Sequence, residues 1–215
     1  MSVKEKIVKR AAKELNDGDV VNLGIGLPTM VADYIPEGMT IHLQSENGIL
    51  GMSFVPEGDD YDRNIVNAGG APVTIESGAC FFDSSMSFTI IRGGHVNATM
   101  LGALQVDQYG NLASHIIPGK MVPGMGGAMD LVTGSKKVII TMTHTAKGDA
   151  PKILNKIQLP ATALGKVNRI ITELAVIDVT LDGLVLQEIA EETTVEEVIA
   201  KTEAPLKLAD EIGRF

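Results

Sequence analysis

The chemistry of this chain centres on Glu46, the one carboxylate in the turn-forming cluster Gln44-Ser45-Glu46-Asn47-Gly48-Ile49-Leu50-Gly51. Ser, Asn and Gly are ordinary residues of a tight turn, and a Glu among them is usually just solvated. Its place raises the functional reading. The cluster follows Thr40 to Gln44, which reads as a short strand, and in an open α/β sheet ligands bind outside the carboxyl ends of strands. Two glycine-rich segments offer such a carboxylate polar surroundings. Gly24-Ile25-Gly26 presents backbone N–H groups to an anion or carbonyl and reads as a wall of a site. Pro118 to Asp130, with Gly119, Gly124, Gly126 and Gly127, is a cradle for an oxyanion or phosphate ahead of a short helix, or else a long connection with several left-handed residues.

Other chemistries are excluded by what the spacing lacks. The Gly24-x-Gly26 pair does not begin a dinucleotide fingerprint: position 29 is Thr, and the next acidic residue, Asp33, falls inside a predicted helix. No Gly-Lys-Ser/Thr closes the later cluster as a phosphate-binding Walker loop would require. His42, His95, His115 and His144 form no helical ligand pair, so they read as structural and no metal is expected. The carboxylates of residues 53–62 lack calcium-loop spacing and read as a solvated connection. Ser45 sits in no nucleophile elbow, and Cys80 reads as a small core residue.

The elements that must hold these residues alternate between helix and strand periods. Ser2 and Glu5 match a capping box for a helix ended by Asp17-Gly18. Asp19 to Leu23 reads as a strand, and Pro28 as the first turn of a helix through Tyr34. Asn64 to Ala68, Val73 to Glu76 and Ser87 to Arg92 read as short β segments. Small residues from Gly93 onward predict a buried strand, then a hairpin into Leu112 to Ile117. Lys136 to Met142, Ile170 to Val179 and Leu184 to Ile189 are apolar β runs, the last two joined at Asp182-Gly183. Thr194 and Glu197 predict a second capping box. The reading is one α/β domain over residues 1–215, with no repeat or linker.

A formal charge of −9, with no Lys/Arg-rich run, argues against a nucleic-acid surface. One cysteine rules out an intramolecular disulfide framework and fits a reducing compartment. No apolar run approaches the roughly 20 residues of a membrane span. The N-terminal segment lacks the uninterrupted apolar stretch of a secretory signal, so a cytoplasmic protein is expected.

Four ordered motifs, Asn22-Leu23-Gly24-Ile25-Gly26, Ser45-Glu46-Asn47-Gly48, Ile91 to Asn97 and Gly124 to Asp130, closely resemble those of family I coenzyme A transferases. The resemblance is to the B (β) subunit of the 3-oxoacid type, the group that includes acetate or butyrate:acetoacetate CoA-transferases, and runs from the first helix to about residue 200. It implies a three-layer open-sheet domain of the CoA-transferase and sugar-phosphate isomerase-like type. By that resemblance Glu46 is the nucleophile of a ping-pong transfer through a glutamyl-CoA thioester, and the Gly127 N–H is an oxyanion donor. It also implies contacts to substrate or CoA from Asn22, Gly24, Gly26, Asn47 and Gly126. Lys120 and Lys147 are candidates for CoA only by charge and loop position. The acids would be short-chain ones such as acetoacetate, acetate or butyrate, CoA thioester would be substrate rather than resident cofactor, and the partner an A (α) subunit in an α2β2 heterotetramer. Some relatives carry a lysine after Asn-Ala-Gly where this chain has Gly70, so that lysine's contact is not expected here. Two other functions fit the same layers: a CoA thioester hydrolase, and a sugar-phosphate isomerase or ligand-binding domain.

Overall fold

The first helix, α1 (Val3–Ala12), begins where the sequence places it. The Ser2 hydroxyl accepts from the Glu5 N–H at 3.2 Å, and the Glu5 carboxylate accepts from the Ser2 N–H at 2.7 Å, so the capping box is formed on both sides. The helix ends at Lys13, a turn earlier than Asp17-Gly18 suggests. The computed structural model describes residues 1–53, 58, 61–120 and 124–215; most of the acidic 53–62 connection and the centre of the 118–130 cluster lie outside the described residues.

After α1 the chain forms β1 (Val20–Leu23), a 3₁₀ helix over Leu27–Tyr34 with Pro28 in its first turn, β2 (His42–Ser45), β3 (Ile49–Met52) and β4 (Ile75–Phe81). Next come α2 (Ser84–Arg92), β5 (Ala98–Leu101), β6 (Gln105–Asp107), β7 (Leu112–Ala113), α3 (Ala128–Gly134) and β8 (Lys137–Thr141). The remainder is β9 (Ile153–Leu154), β10 (Arg169–Ile171), β11 (Ala175–Thr180), β12 (Gly183–Ile189), α4 (Val195–Lys201) and β13 (Leu206–Arg214).

Ten of these strands make one sheet in the order β13-β12-β11-β10-β8-β5-β1-β2-β3-β4. Its centre, from β10 through β8, β5 and β1 to β2, is parallel, and β3, β4 and β11 add antiparallel flanks. The period of two sends alternate side chains to opposite faces. Ile139, Ile171 and Val176 pack with Ile7, Val8 and Ala11 of α1 and Val31 of the 3₁₀ helix. Their neighbours Val138, Ile140, Ile170 and Ile177 pack with Ile91, Leu131 and Val198 of α2, α3 and α4, and with Val106, Leu112 and Ile153 of the small β7-β6-β9 sheet. The result is the expected three-layer α/β domain.

Several local expectations are corrected. Ser87 to Arg92 is helical, in α2: the Asp83 carboxylate caps it by accepting from Met86 N–H at 2.8 Å, and Ser87 and Ile91, four apart, are its buried stripe. The β-branched residues in that segment suggest a strand, but the cap and burial spacing decide otherwise. Asn64 to Ala68 forms no strand, only a bridge between Val66 and Pro72. Cys80 is exposed, because β4 lies at the sheet edge with nearly every residue open to solvent. The Ile170 to Val179 run is broken at Thr172, whose hydroxyl accepts from the N–H groups of Leu174 and Ala175. At α4 the Thr194 hydroxyl accepts from Glu197 N–H, but the Glu197 carboxylate pairs with Lys201 at 2.8 Å, so only the Thr194 half of that capping box is recorded among the described contacts.

Two buried polar groups lock the layers together. Glu14, just past α1, receives Arg10 at 2.8 Å, Arg169 at 2.7 Å and Lys137 at 2.7 Å; Arg10 also reaches Glu188, and Arg169 reaches Asp178. Burial pushes the Glu14 carboxyl upward, but hydrogen bonds from Lys137, Arg169 and Arg10 outweigh it and hold the group at about 2. His144 lies fully buried between Thr172 and Thr202, each 2.9 Å from one ring nitrogen. Thr202 donates its own proton to Val198 O, so it accepts from His144 Nε2–H; the neutral ring's Nδ1 then accepts from Thr172, at 2.9 Å against 3.3 Å for that hydroxyl's other acceptor, Ala175 O. Burial, assisted by the charge on Lys201, lowers this imidazole to about 4.

Candidate active site

The parallel strands run β1 to β2 in one direction, and β5 then adds on the other side of β1. Ligands of open α/β sheets bind at such a reversal, outside the carboxyl ends of the strands. A cleft of about 650 Å³ occupies that position. Its walls are the turn after β1, the β2–β3 turn, the Asn67 to Ala71 segment, the residues after β5, and Gly124 to Ala128 leading into α3.

Glu46 stands at the tip of the β2–β3 hairpin, in a three-residue loop closed by a Gly48 N–H to Ser45 O hydrogen bond of 3.0 Å. Gly48 has φ +113, and a Cβ there would strike the carbonyl oxygen of Phe82; glycine is required by both conformation and space. The turn is tied to the opposite wall twice. Asn47 Nδ2 donates to Val66 O at 2.7 Å, and the Ala68 N–H donates to Ser45 Oγ at 3.0 Å.

The half-buried Glu46 carboxylate meets the second glycine-rich segment directly: the Gly127 N–H donates to Glu46 Oε1 at 2.9 Å. That donor is one of the free N–H groups at the start of α3. A Cβ on Gly127 would lie 2.5 Å from Glu46 Oε2, and one on Gly126 3.0 Å from Oε1. The missing side chains therefore make the contact possible. The arrangement can stabilise negative charge on, or next to, the Glu46 carboxyl group.

Of the residues expected at the site, Glu46, Asn22, Gly24, Gly26, Gly126 and Gly127 all line the cleft. The Asn22 amide nitrogen is taken up by Gln44: Nδ2 donates to the Gln44 backbone oxygen at 3.1 Å and to Gln44 Oε1 at 2.8 Å. Asn47 is exposed and acts on the turn rather than on the cleft. Lys120 and Lys147 are exposed and absent from the described lining. Gly70 also faces open space, with φ +79. Among the described residues no cluster of His, Cys, Asp or Glu is placed to hold a metal, and no helix is long and apolar enough to cross a membrane.

Sequence reasoning missed Gln44, Ser87 and Phe88. Gln44 Nε2 donates to Ser87 Oγ at 2.9 Å, and a Cβ on Gly127 would come 3.0 Å from Phe88 Cε1. Reading Ser87 to Arg92 as a strand hid them; the Asp83 cap was the available signal.

A half-buried carboxylate at a sheet reversal, facing a backbone donor, defines a class of site that comparison with known proteins makes specific. Residues 4–201 match the model of the family described as coenzyme A transferase. The chain belongs to the coenzyme A transferase family. It is 56% identical over 212 residues to the acetate CoA-transferase subunit beta of Haemophilus influenzae, covering 98% of this chain and 94% of that one. It is 50% identical over 199 residues to the human mitochondrial succinyl-CoA:3-ketoacid coenzyme A transferase 2, covering 92% of this chain and 38% of that one. In three dimensions it resembles the acyl-CoA transferase apoenzyme of Escherichia coli O157:H7, with a TM-score of 0.80, 24% identity, and coverage of 100% of this chain and 43% of that one. The chain is thus a CoA-transferase chain of the beta-subunit type.

Proposed function

We propose that this chain carries the nucleophile of a ping-pong CoA-transferase acting on short-chain acids such as acetate, acetoacetate and butyrate. The observation that carries the reading is the 2.9 Å hydrogen bond from the Gly127 N–H to Glu46 Oε1 inside the cleft. A Glu46 oxygen attacks the thioester carbonyl of the donor acyl-CoA; the new O–C bond forms, the C–S bond breaks, and an acyl-glutamyl anhydride and CoA thiolate result. The thiolate attacks the glutamyl carbonyl and expels the donor acid as carboxylate, leaving a glutamyl-CoA thioester. An acceptor carboxylate attacks that thioester, releasing thiolate again, and the thiolate takes the acyl group from the anhydride. Glu46 returns as a carboxylate, and no external proton or electron is consumed.

Each attack creates an oxyanion, and losing one backbone donor costs on the order of 3 kcal/mol of barrier. Gly127 supplies one such donor; Gly24, Gly26 and Gly126 let substrate approach the backbone, and Asn22 supports the turn from beneath. CoA enters as a substrate and no cofactor is resident. The partner is an A (α) subunit, in an α2β2 assembly that completes the donor set. The names of the relatives, acetate CoA-transferase and succinyl-CoA:3-ketoacid transferase, favour small carboxylic acids.

The test is to incubate the complex with acetyl-CoA or acetoacetyl-CoA, omit acceptor acid, reduce with borohydride and map peptides. The peptide holding Glu46 is expected to carry the reduced alcohol, and Glu46→Ala is expected to abolish turnover. An unmodified Glu46, or a Glu46→Ala complex with full turnover, would overturn the reading. Thioester consumption that proceeds equally without acceptor would instead identify a hydrolase.

A further inference from the structure

Two separate elements set the 2.9 Å distance between Glu46 and the Gly127 N–H: the β2–β3 turn carries the carboxylate, and the start of α3 carries the donor. Both are registered to a third element, α2. On the donor side, Arg92 Nε binds Asp130 Oδ1 at 2.7 Å, the Phe88 ring packs beside Gly127, and Gly134 of α3 lies against the Ile91 backbone of α2 so closely that a Cβ would strike its carbonyl oxygen. On the nucleophile side the Phe82 N–H donates to Gly48 O at 3.0 Å just ahead of the Asp83 cap of α2, and one buried side chain ties the strand that carries the turn to the helix itself. Gln44, only 1% exposed and two residues before Glu46, accepts from Asn22 Nδ2 at 2.8 Å and donates to Ser87 Oγ at 2.9 Å.

The orientation of this amide is determined by its surroundings. Asn22 Nδ2 also donates to the backbone oxygen of Gln44, which can only accept, so the Gln44 atom facing Asn22 is Oε1 and the atom facing Ser87 is the NH2. Asn22, Gln44 and Ser87 are all buried, and a broken bond among them would leave an amide or hydroxyl without water. The Asn22–Gln44–Ser87 chain therefore has one low-energy arrangement, and it joins β1, β2 and α2 beneath the turn.

We propose that Gln44 is a positioning residue that fixes Glu46 against its donor by registering the β2–β3 turn to α2. The inference rests on Glu46 as nucleophile. Gln44 does not line the cleft, so it acts through the turn and not on substrate. Misplacement of a reacting group by about 1 Å costs up to 10²-fold in rate.

The test uses Gln44→Met, Ser87→Ala and the double variant in complex with the partner subunit. The rate of glutamyl-CoA formation in a single turnover is expected to fall about tenfold or more in Gln44→Met and by less in Ser87→Ala, with the KM for acyl-CoA within about twofold of wild type. The double variant is expected to be no slower than Gln44→Met alone, because both cut one chain. If Gln44→Met does not fold, Ser87→Ala decides the matter: a slower acylation at unchanged KM supports the proposal, and a wild-type rate overturns it. Folded variants with wild-type rates, losses that simply add, or a change in KM alone also overturn it. The wild-type complex is mapped alongside. If it is labelled at Glu46 and the variants match it, only the positioning role fails; an unlabelled wild type overturns both.

Discussion

A methyl group added at Gly127 would stand 2.5 Å from Glu46 Oε2, 2.9 Å from Glu46 Cδ and 3.0 Å from Phe88 Cε1. Real Cβ atoms do not approach that closely, so in Gly127→Ala the carboxylate must swing away and the 2.9 Å hydrogen bond must break. The backbone does not require glycine: Gly127 sits at φ −84, ψ 11, in the bridge region that L-residues occupy at such turns. The cost therefore falls on the site and not on the fold. The backbone N–H remains, so the loss is one of geometry: misplacing a reacting group by about 1 Å costs up to 10²-fold in rate, and a fall in kcat of up to roughly 10²-fold is predicted. Replacing Gly by Ala at a helix N-cap costs within about 1 kcal/mol, a shift of about 2–4 °C in Tm for a chain of this size. Turnover of the complex and a thermal melt of the same preparation separate the two effects. Gly102→Ala is the control, since Gly102 lines the same cleft and, among the described residues, a Cβ there meets nothing within 4 Å. A Gly127→Ala complex that keeps kcat within about threefold of wild type, or one as slow as predicted only because it has unfolded, would refute the steric argument.

Gly48→Ala combines a left-handed φ of +113 with a clash on the Phe82 carbonyl; a loss of more than about 3 kcal/mol is expected in urea titration. Glu14 is held at about 2 against a usual 4.5, a difference worth about 3 kcal/mol. Because the folded value is depressed, this stabilisation is complete above pH 4.5 and drains away as the pH falls toward 2. Unfolding free energy measured against pH should show that slope in wild type, and Glu14→Gln should lack it and be less stable at pH 7 by about 3 kcal/mol, since Arg10, Arg169 and Lys137 lose their common anion. His144 is also depressed, to about 4 from 6.5. Its neutral ring favours the fold above pH 6.5, and that contribution is lost as the pH falls from 6.5 to 4; chemical melts of His144→Asn across this window should lack the component. Thr202→Val removes the acceptor of the Nε2 proton and should cost about 1–3 kcal/mol by the same melts.

Much of this molecule is determined locally. Ser2 with Glu5, Pro28 at the head of its helix, and the apolar runs of the central strands act over a few residues, so these elements and the α/β class are legible in the spacing, whereas the helix at Ser87 to Arg92 is not. The ordered motifs around Asn22, Glu46 and Gly127 likewise identify residues that share the cleft, whereas no residue of Ile91 to Asn97 lines it. Tertiary structure decides what those residues do to one another. Glu46 and Gly127 are 81 residues apart in sequence and 2.9 Å apart in space. Nothing in the turn around Glu46 says that its tip faces the start of α3. The Asn22–Gln44–Ser87 chain spans β1, β2 and α2, and Glu14 gathers three cations from α1, β8 and β10; side chains so far apart along the chain leave no periodic trace. Cys80 is the converse case. Its small apolar neighbours suggest burial, but position at the end of the sheet is a property of strand order, and strand order puts β4 at the edge. Local sequence sets which conformations are cheap, whereas the partner of each buried polar group is settled only when the layers close and water is no longer available to take its place.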